Sequence, residues 1–126
     1  SKISSDYKKS DKILKDLTGQ SFTVWRTPGG SYNSRVLKNV PLPHILWSVD
    51  TRDWESKNAT KVYNSIMNNA KDGAIILLHD LHGTSVDGAI KAINKLLDQG
   101  YEFVTVTELL SRDGTPPKAG STYRKG

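Results

Sequence analysis

The stretch DGAIILLHDLHGTSVDGAIKAINKLLDQG (residues 72–100) joins a strand signal directly to a helix signal. Its apolar run AIILL (74–78) is continuous, as is typical of a strand covered on both faces. Apolar residues then recur at helical spacing from Val86 to Leu97, and Gly100 ends the pattern. A buried strand followed by an amphipathic helix is the repeating unit of a parallel sheet, so this stretch predicts an α/β fold.

The rest of the chain continues this alternation. We predict helices at residues 5–18 and 34–38 and after the N-cap Asn58. About four parallel strands should alternate with the helices, namely SFTVW (21–25), HILWSV (44–49), AIILL (74–78) and YEFVTV (101–106). The predicted domain, residues 1–110, would be followed by a mobile tail, residues 111–126, which has no apolar periodicity.

Length and composition narrow the class of protein. The 126 residues are enough for one hydrophobic core, and no apolar run approaches the roughly 20 residues that span a bilayer. The absence of cysteine excludes disulfides, thiolate nucleophiles and Cys-based zinc sites. The net charge of +5 is concentrated near the two chain ends and favours anionic partners without distinguishing among them. Since the sequence has no nucleic-acid-binding motif, we expect no nucleic acid partner. The lack of a long apolar run predicts that the chain has no membrane span.

Polar side chains with useful chemistry follow three of the predicted strands. Arg26 follows SFTVW, Asp50 and Asp53 follow HILWSV, and His79 follows AIILL. Because function collects beyond the carboxyl ends of parallel strands, we expect these groups to meet on one face. The sequence therefore predicts a site that combines a guanidinium, a carboxylate pair and an imidazole.

His79 has the most direct catalytic chemistry. An imidazole can act as a general acid or base near neutral pH, and a carboxylate hydrogen-bonded to its second nitrogen would fix the tautomer. We predict that Asp53 is this partner; the alternative is a structural histidine whose nitrogens bind the backbone. Arg26 cannot be a base, so it would hold a carboxylate or bind an anion, unless it forms only a surface salt bridge.

Two neighbouring features suit a binding cleft. In TPGGS (27–31), Gly29 and Gly30 allow the backbone close to a ligand, so their N–H groups could stabilise an oxyanion, although a tight turn is the alternative. Trp54 could pack its face on a sugar ring, with burial under a helix as the alternative. These features predict the wall of a cleft rather than a complete site.

The remaining histidines give a weaker signal. His79 and His82, with Asp80 between them, have a metal-like spacing, but one loop lacks a third anchoring element, so we do not predict zinc there. His44 stands at the amino end of its predicted strand, and we expect it to lie away from the site.

Three short motifs together resemble a known family. RTPGG (26–30), DTRDW (50–54) and LLH (77–79) resemble, in this order, the last three motifs of the polysaccharide deacetylases, the carbohydrate esterases with a NodB-homology domain. Residues 73–110 are also very similar to the peptidoglycan N-acetylglucosamine deacetylases of Gram-positive bacteria, and the whole resemblance covers about residues 5–110. It implies a distorted (β/α) barrel. It also implies hydrolysis, by a metal-activated water, of N-acetyl groups on N-acetylglucosamine residues of peptidoglycan or a related polysaccharide.

The sequence departs from the family at its start. Family members begin with a Thr-Phe-Asp-Asp motif and continue to a His-Ser/Thr-x-x-His motif, which supply the catalytic base and three metal ligands, and neither motif occurs here. We therefore interpret the chain as the C-terminal part of the domain, inactive alone, with the ligands of a divalent metal, expected to be zinc, outside it. Apolar strand edges should make it bind the missing N-terminal half as a separate chain or self-associate. The resemblance also implies an extracellular or cell-surface location.

Carried over by position, the resemblance implies four roles in the reaction. Arg26 would orient the missing base, and the N–H of Gly29 would help to stabilise the oxyanion. Asp53 would tune His79, which would protonate the leaving amine.

Two more residues would shape the substrate site according to the resemblance. Leu77 would line the pocket for the acetyl methyl group, and Trp54 would form the wall of the groove. Gly29 stands where the family often has Tyr, which removes a ring from the groove. Because the first two motifs are missing, the alternative function is a non-catalytic carbohydrate-binding or structural remnant of the fold. A third hypothesis is a basic module that binds an anionic polymer through its ends.

Overall fold

The computed structural model describes all 126 residues, and the chain divides into two compact units. The first unit comprises residues 1–46 and 110–123, and the second comprises residues 47–109 and 124–126. Each unit contains one pair of parallel strands together with helices, so the predicted α/β class with parallel strands is confirmed. None of the helices is long and apolar enough to cross a membrane.

The regular elements are six α-helices, one 3₁₀ turn at Pro28–Gly30 and four strands. The helices are α1 (Lys2–Thr18), α2 (Ser34–Leu37), α3 (Asp53–Ser56), α4 (Ala59–Asn69), α5 (Gly83–Asp98) and α6 (Val106–Leu110). The strands are β1 (His44–Ile45), β2 (Val49–Asp50), β3 (Ile76–Leu77) and β4 (Thr122–Tyr123). The strands are much shorter than predicted, and the predicted strand HILWSV is divided between β1 and β2.

The first unit is built around the parallel pair of β1 and β4. His44 lies opposite Thr122 in this pair, and it also forms an isolated parallel bridge with Trp25. The N–H of Ile45 donates to the carbonyl of Trp25 at 2.8 Å. The predicted strand SFTVW is reduced to this one bridge, so the end of that segment lies beside the start of β1.

β4 lies in the segment that the sequence predicts as a mobile tail. Residues Thr122–Tyr123 form a paired strand, while the mobility of the tail as a whole stays a prediction. The N–H of His44 donates to the carbonyl of Ser121 at 2.9 Å, and the N–H of Leu46 donates to the carbonyl of Tyr123 at 2.8 Å. The sequence gives no sign of this strand, because main-chain pairing of a short parallel strand requires no apolar periodicity.

The core of the second unit lies between α4 and α5. Asn58 caps α4, as predicted, because its Oδ1 accepts a hydrogen bond from the N–H of Lys61 at 2.9 Å. Gly88 allows the two helices close together, since a Cβ at this position would lie 2.7 Å from the carbonyl oxygen of Ala59 and 2.8 Å from Cβ of Val62. The buried apolar residues of this interface are Val62, Ile66, Ala92 and Leu96.

The prediction of a fourth strand at YEFVTV (101–106) is wrong. Residues 101–105 have no regular secondary structure, and α6 begins at Val106. The N–H of Glu108 donates to Oγ1 of Thr105 at 3.2 Å, and the N–H of Thr105 donates to the carboxylate of Glu108 at 2.7 Å. These reciprocal bonds form a capping box, which starts a helix where the β-branched residues alone favour a strand.

Several apolar side chains remain exposed on the helices. On α1, Ile13 and Leu17 are exposed. On α5, the exposed apolar residues recur at spacings of four, three and four, and they are Val86, Ile90, Ile93 and Leu97. The predicted association with a second polypeptide or another copy has these surfaces available, and it stays a prediction.

Candidate active site

Strand register brings the two halves of the candidate site together in the second unit. β2 and β3 pair in parallel with Asp50 opposite Leu77, so the segments that follow them leave the pair side by side. Oγ1 of Thr51 donates to the carbonyl of Leu77 at 2.9 Å and ties the two segments at this point. His79 therefore comes close to the start of α3, where Asp53 is the first residue.

A local turn aims Asp53 inward. Oδ1 of Asp50 accepts a hydrogen bond from the N–H of Arg52 at 2.9 Å, which forms an Asx turn. Arg52 has a left-handed backbone conformation with φ of 50° and ψ of 35°, and the chain then enters α3. Asp50 thus opens the turn, while Asp53 is completely buried.

The carboxylate of Asp53 binds His79 through both of its oxygens. Oδ1 lies 2.9 Å from Nδ1 of His79, and Oδ2 accepts a hydrogen bond from the His79 N–H at 2.7 Å. The Asp53 side chain has 0% exposure, whereas the His79 side chain is 33% exposed. A buried carboxylate therefore holds a partly exposed imidazole by its side chain and its backbone at once.

The electrostatics of Asp53 fix the proton on His79. Burial alone would raise the pKa of the Asp53 carboxyl, but hydrogen bonds from the His79 side chain and backbone, with the charge of His79, lower this pKa to about 2. The Ser85 hydroxyl is buried as well, but its Oγ has no partner within hydrogen-bond geometry. An ionised carboxylate can only accept, so Nδ1 of His79 carries a proton and Nε2 is the nitrogen that can exchange one.

The imidazole of His79 lies at the wall of a cavity in the second unit. The cavity has a volume of about 460 Å³. Its walls combine two polar groups near His79 with a largely apolar helix face, and they are formed by Leu78, His79, Asp80, Ser85, Val86, Ala89 and Ile90. A proton-transfer group at the edge of an apolar cavity is a suitable arrangement for acid or base chemistry on a bound molecule.

Trp54 is exposed next to this pair. Half of its surface, 50%, is accessible, so burial under a helix does not describe it. The guanidinium carbon of Arg52 lies 5.8 Å from the ring centroid, and Arg52 also pairs with Glu55 at 2.6 Å. The ring is therefore oriented by a neighbouring cation while remaining accessible to a ligand.

The RTPGG segment lies in the first unit. Arg26 is exposed and lines a mostly apolar cavity of about 520 Å³ with residues of α1 and the 21–25 segment. In the turn that follows, the N–H of Gly30 donates to the carbonyl of Thr27 at 3.0 Å. Gly29 has φ of 65°, and a side chain there would meet no atom within 4 Å, so its backbone conformation rather than lack of space favours glycine.

Comparison with known proteins places this geometry in a family. The model of the family described as "Polysaccharide deacetylase" matches residues 1–41. Peptidoglycan-N-acetylglucosamine deacetylase PgdA of Listeria monocytogenes is 45% identical over 101 residues, which are 80% of this chain and 22% of that protein. The chain belongs to the polysaccharide deacetylase family.

Two further relatives of this deacetylase family extend the comparison. Peptidoglycan-N-acetylmuramic acid deacetylase PdaC of Bacillus subtilis is 39% identical over 97 residues, covering 77% of this chain and 21% of that protein. The solved structure of T48 deacetylase with substrate has a TM-score of 0.87 and 33% identity, covering 96% of this chain and 60% of that chain. The chain thus spans about a fifth of the length of the Listeria and Bacillus deacetylases.

The residues predicted from the deacetylase motifs fall into both units. The predicted contact between Asp53 and His79 is present. Arg26 and Gly29 lie in the first unit, so their convergence with this pair stays a prediction. Leu77 is buried in β3, and its neighbour Leu78 lines the cavity beside His79.

The metal implied by the deacetylase family does not fit the residues of this chain. No group of three or more His, Cys, Asp and Glu side chains is arranged to hold a metal ion. In the His-x-x-His pair, Nδ1 of His79 is engaged by Asp53, and His82 is the residue before α5. We therefore assign no metal ligand in this chain.

His44 contacts Thr27 of the RTPGG segment, while the expectation that it lies away from Asp53 and His79 stays a prediction. His44 lies beside the RTPGG segment of the deacetylase motif, because Trp25 at the end of one predicted strand pairs with His44 at the start of the next. The motif order assumes neighbouring strands that end together, whereas the register here is offset by almost a full strand. No residue pattern in the sequence signals this offset, and the burial of His44 becomes apparent only in the structure.

Proposed function

We propose that this chain is the C-terminal part of a deacetylase domain with a distorted (β/α) barrel, and that it takes part in removing N-acetyl groups from N-acetylglucosamine residues of peptidoglycan or a related polysaccharide. The observation that carries the proposal is that the Asp53 carboxylate accepts hydrogen bonds from both Nδ1 and the backbone N–H of His79. The names of the relatives support the reaction class.

In this proposal His79 is the proton donor. Hydrolysis of an N-acetyl group adds water to the carbonyl carbon and breaks the carbon–nitrogen bond, and the amine leaves readily only when its nitrogen is protonated. With Nδ1 held by Asp53, a protonated His79 delivers the proton from Nε2. The products are acetate and the free amino sugar. The base takes up the proton that the attacking water loses, and transfer of this proton, directly or through solvent, restores the protonated imidazole before the next turnover.

Arg26 and Gly29 would act on the other atoms of the reaction. Arg26, always charged, would orient a carboxylate base that another part of the protein supplies. The N–H of Gly29 would stabilise the negative charge that develops on the carbonyl oxygen. The turn supports this role, because its own hydrogen bond uses the N–H of Gly30.

Two side chains would select the substrate. The exposed ring of Trp54 would pack on the apolar face of a sugar, and Leu77 would line the site of the acetyl methyl group. The two curated relatives are named for different sugars, N-acetylglucosamine and N-acetylmuramic acid, so both polymers belong in the test.

The other requirements of the reaction are proposals about the whole protein. We propose a divalent metal, zinc, held by ligands outside this chain, and an N-terminal half of the domain that associates with it. We propose an extracellular or cell-surface location, where peptidoglycan is accessible. The residues of this chain then provide the proton donor and one wall of the cleft.

The test measures acetate released from N-acetylated glycan chains by this chain combined with the complementary part of a relative such as the Listeria enzyme, with zinc supplied. We expect the combination to be active and the isolated chain to be inactive. His79→Gln should lower the rate by at least about 100-fold, as expected for loss of a general acid. The matched control, His82→Gln, should leave the rate unchanged. Equal rates for His79→Gln and the parent would overturn the proposal.

A further inference from the structure

His44 is a buried imidazole that the proposed reaction does not use. It has 0% exposure, and its ring contacts two aromatic rings of the first unit. The ring centroid of Trp25 is 4.9 Å away and that of Tyr32 is 4.8 Å away, both at tilted angles. A polar ring in such surroundings is stable only when its nitrogens have hydrogen-bond partners.

The partners of His44 define its tautomer. Nε2 lies 3.3 Å from the backbone nitrogen of Thr27 and 3.1 Å from its Oγ1, while Nδ1 lies 3.0 Å from Oγ1 of Thr122. A backbone N–H can only donate, so Nε2 accepts and carries no proton. The proton of the neutral ring is then on Nδ1, directed at Thr122. Protonation of Nε2 would point two N–H groups at each other.

Thr27 transmits this contact to the turn that follows it. Its N–H and its hydroxyl both face His44, and its carbonyl accepts the N–H of Gly30 at 3.0 Å. The side chain of Thr27 is buried, whereas Arg26 and Gly29 on either side are exposed. The contacts of Thr27 therefore hold the backbone that carries the two exposed residues.

The C-terminal segment completes the arrangement. Thr122 reaches Nδ1 of His44 from β4, which is itself bound to β1 by main-chain hydrogen bonds on both sides of this position. The hydroxyl of Tyr123 also accepts the N–H of Lys118 at 2.9 Å, which closes the segment on itself. The segment is thus positioned to set the orientation of the imidazole.

We propose that His44 is a positioning residue, which holds the RTPGG turn through Thr27 in the neutral Nδ1–H form and couples this turn to the C-terminal segment through Thr122. The positioning itself is independent of the reaction. Its effect on catalysis rests on the proposed function, because only there does Gly29 act as an oxyanion donor. Residues 121–123 then matter for activity although they contain no catalytic group.

The first test is nitrogen-15 NMR of the imidazoles in the complete 126-residue chain, together with amide hydrogen exchange. We expect a protonated Nδ1 and an unprotonated Nε2 for His44, with a protected amide at Thr27. A proton on Nε2 of His44, or a Thr27 amide that exchanges as fast as in an unfolded peptide, would overturn the proposal.

The second test uses variants that differ in the hydrogen-bonding groups at positions 44 and 122. Thr122→Val removes the partner of Nδ1 at constant shape, and the Thr27 amide should exchange about three to ten times faster, the effect of one lost hydrogen bond on local opening. His44→Phe keeps a ring but no acceptor and should expose the amide further, while His44→Gln, which keeps an acceptor, should restore part of the protection. The control Thr60→Val, at an exposed position of α4, should have no effect. Unchanged exchange in Thr122→Val would contradict the coupling.

A third measurement separates this inference from the proposed function. In the combined enzyme, Thr122→Val should lower kcat by about three- to tenfold with KM unchanged, because a displaced donor acts on the transition state. Wild-type acetate release with an unaltered kcat in Thr122→Val would refute the catalytic effect. If even the wild type releases no acetate, the proposed function fails, while the NMR results still decide the positioning.

Discussion

His79 in the second unit and His44 in the first unit have hydrogen-bond partners of different charge. His79 is one-third exposed and is bound by an ionised carboxylate, whereas His44 is buried and is bound by hydroxyl and amide groups of two threonines. Both direct Nδ1 at a side-chain oxygen. The difference lies in Nε2, which is available at His79 and accepts the Thr27 N–H at His44. The same side chain is thus suited to proton transfer in one place and to holding a turn in the other.

Removing the charged partner should have the largest effect. Asp53→Asn puts an amide where both carboxylate oxygens accept N–H groups, so we expect a loss of about 2 kcal/mol in the free energy of unfolding at pH 7. Acetate release by the combined enzyme should fall by about 100-fold or more. Urea unfolding and the acetate assay measure the two effects. Hydrogen exchange of the Thr27 amide, in the first unit, serves as the internal control.

The same variant predicts a pH dependence with a definite sign. The pKa of Asp53 is lowered from 3.8 to about 2 on folding. A lowered folded-state pKa stabilises the protein above pH 3.8, and this contribution is lost as the pH falls through about 2. The stability difference between parent and Asp53→Asn should therefore shrink between pH 4 and pH 2. A difference that stays constant over this range would show that the charge of Asp53 contributes nothing.

A smaller effect is expected from packing in the second unit. Gly88→Ala forces a Cβ to within 2.7 Å of the Ala59 carbonyl, and the strain should exceed the gain in helix propensity by about 1 kcal/mol. Thermal unfolding measures the loss. Gly83→Ala is the matched control, because a Cβ at that position of the same helix meets no atom within 4 Å. If both variants are equally stable, the close approach of α4 and α5 is not as described.

The smallest effect on stability should come from the exposed ring beside His79. Trp54→Ala should change the free energy of unfolding by less than about 0.5 kcal/mol, because the ring is half exposed. In the combined enzyme it should raise KM by about three- to tenfold, the contribution of one ring contact to a sugar. Phe103→Ala removes another exposed ring of the second unit and should leave KM unchanged. Equal KM values for the two variants would remove Trp54 from the substrate site.

The two imidazoles also show how far the sequence could be interpreted. The contact of Asp53 with His79 was predictable, because the two residues follow strands whose parallel pairing is indicated by continuous apolar runs. The contact of His44 with Thr27 was not, because it depends on an offset register that no residue pattern records. The strand β4 and the capping box at Thr105 were missed for a related reason. Both depend on individual hydrogen bonds rather than on periodicity.

The most direct test of the account is the imidazole nitrogen-15 spectrum of His79 in the complete chain and in Asp53→Asn. We predict a proton on Nδ1 of His79 in the parent, with Nε2 as the unprotonated nitrogen of the neutral ring, and a loss of this preference in the variant while the His44 signals stay the same. A neutral His79 with its proton on Nε2 in the parent would contradict the account, because Nδ1 would then have no proton to donate to the Asp53 carboxylate.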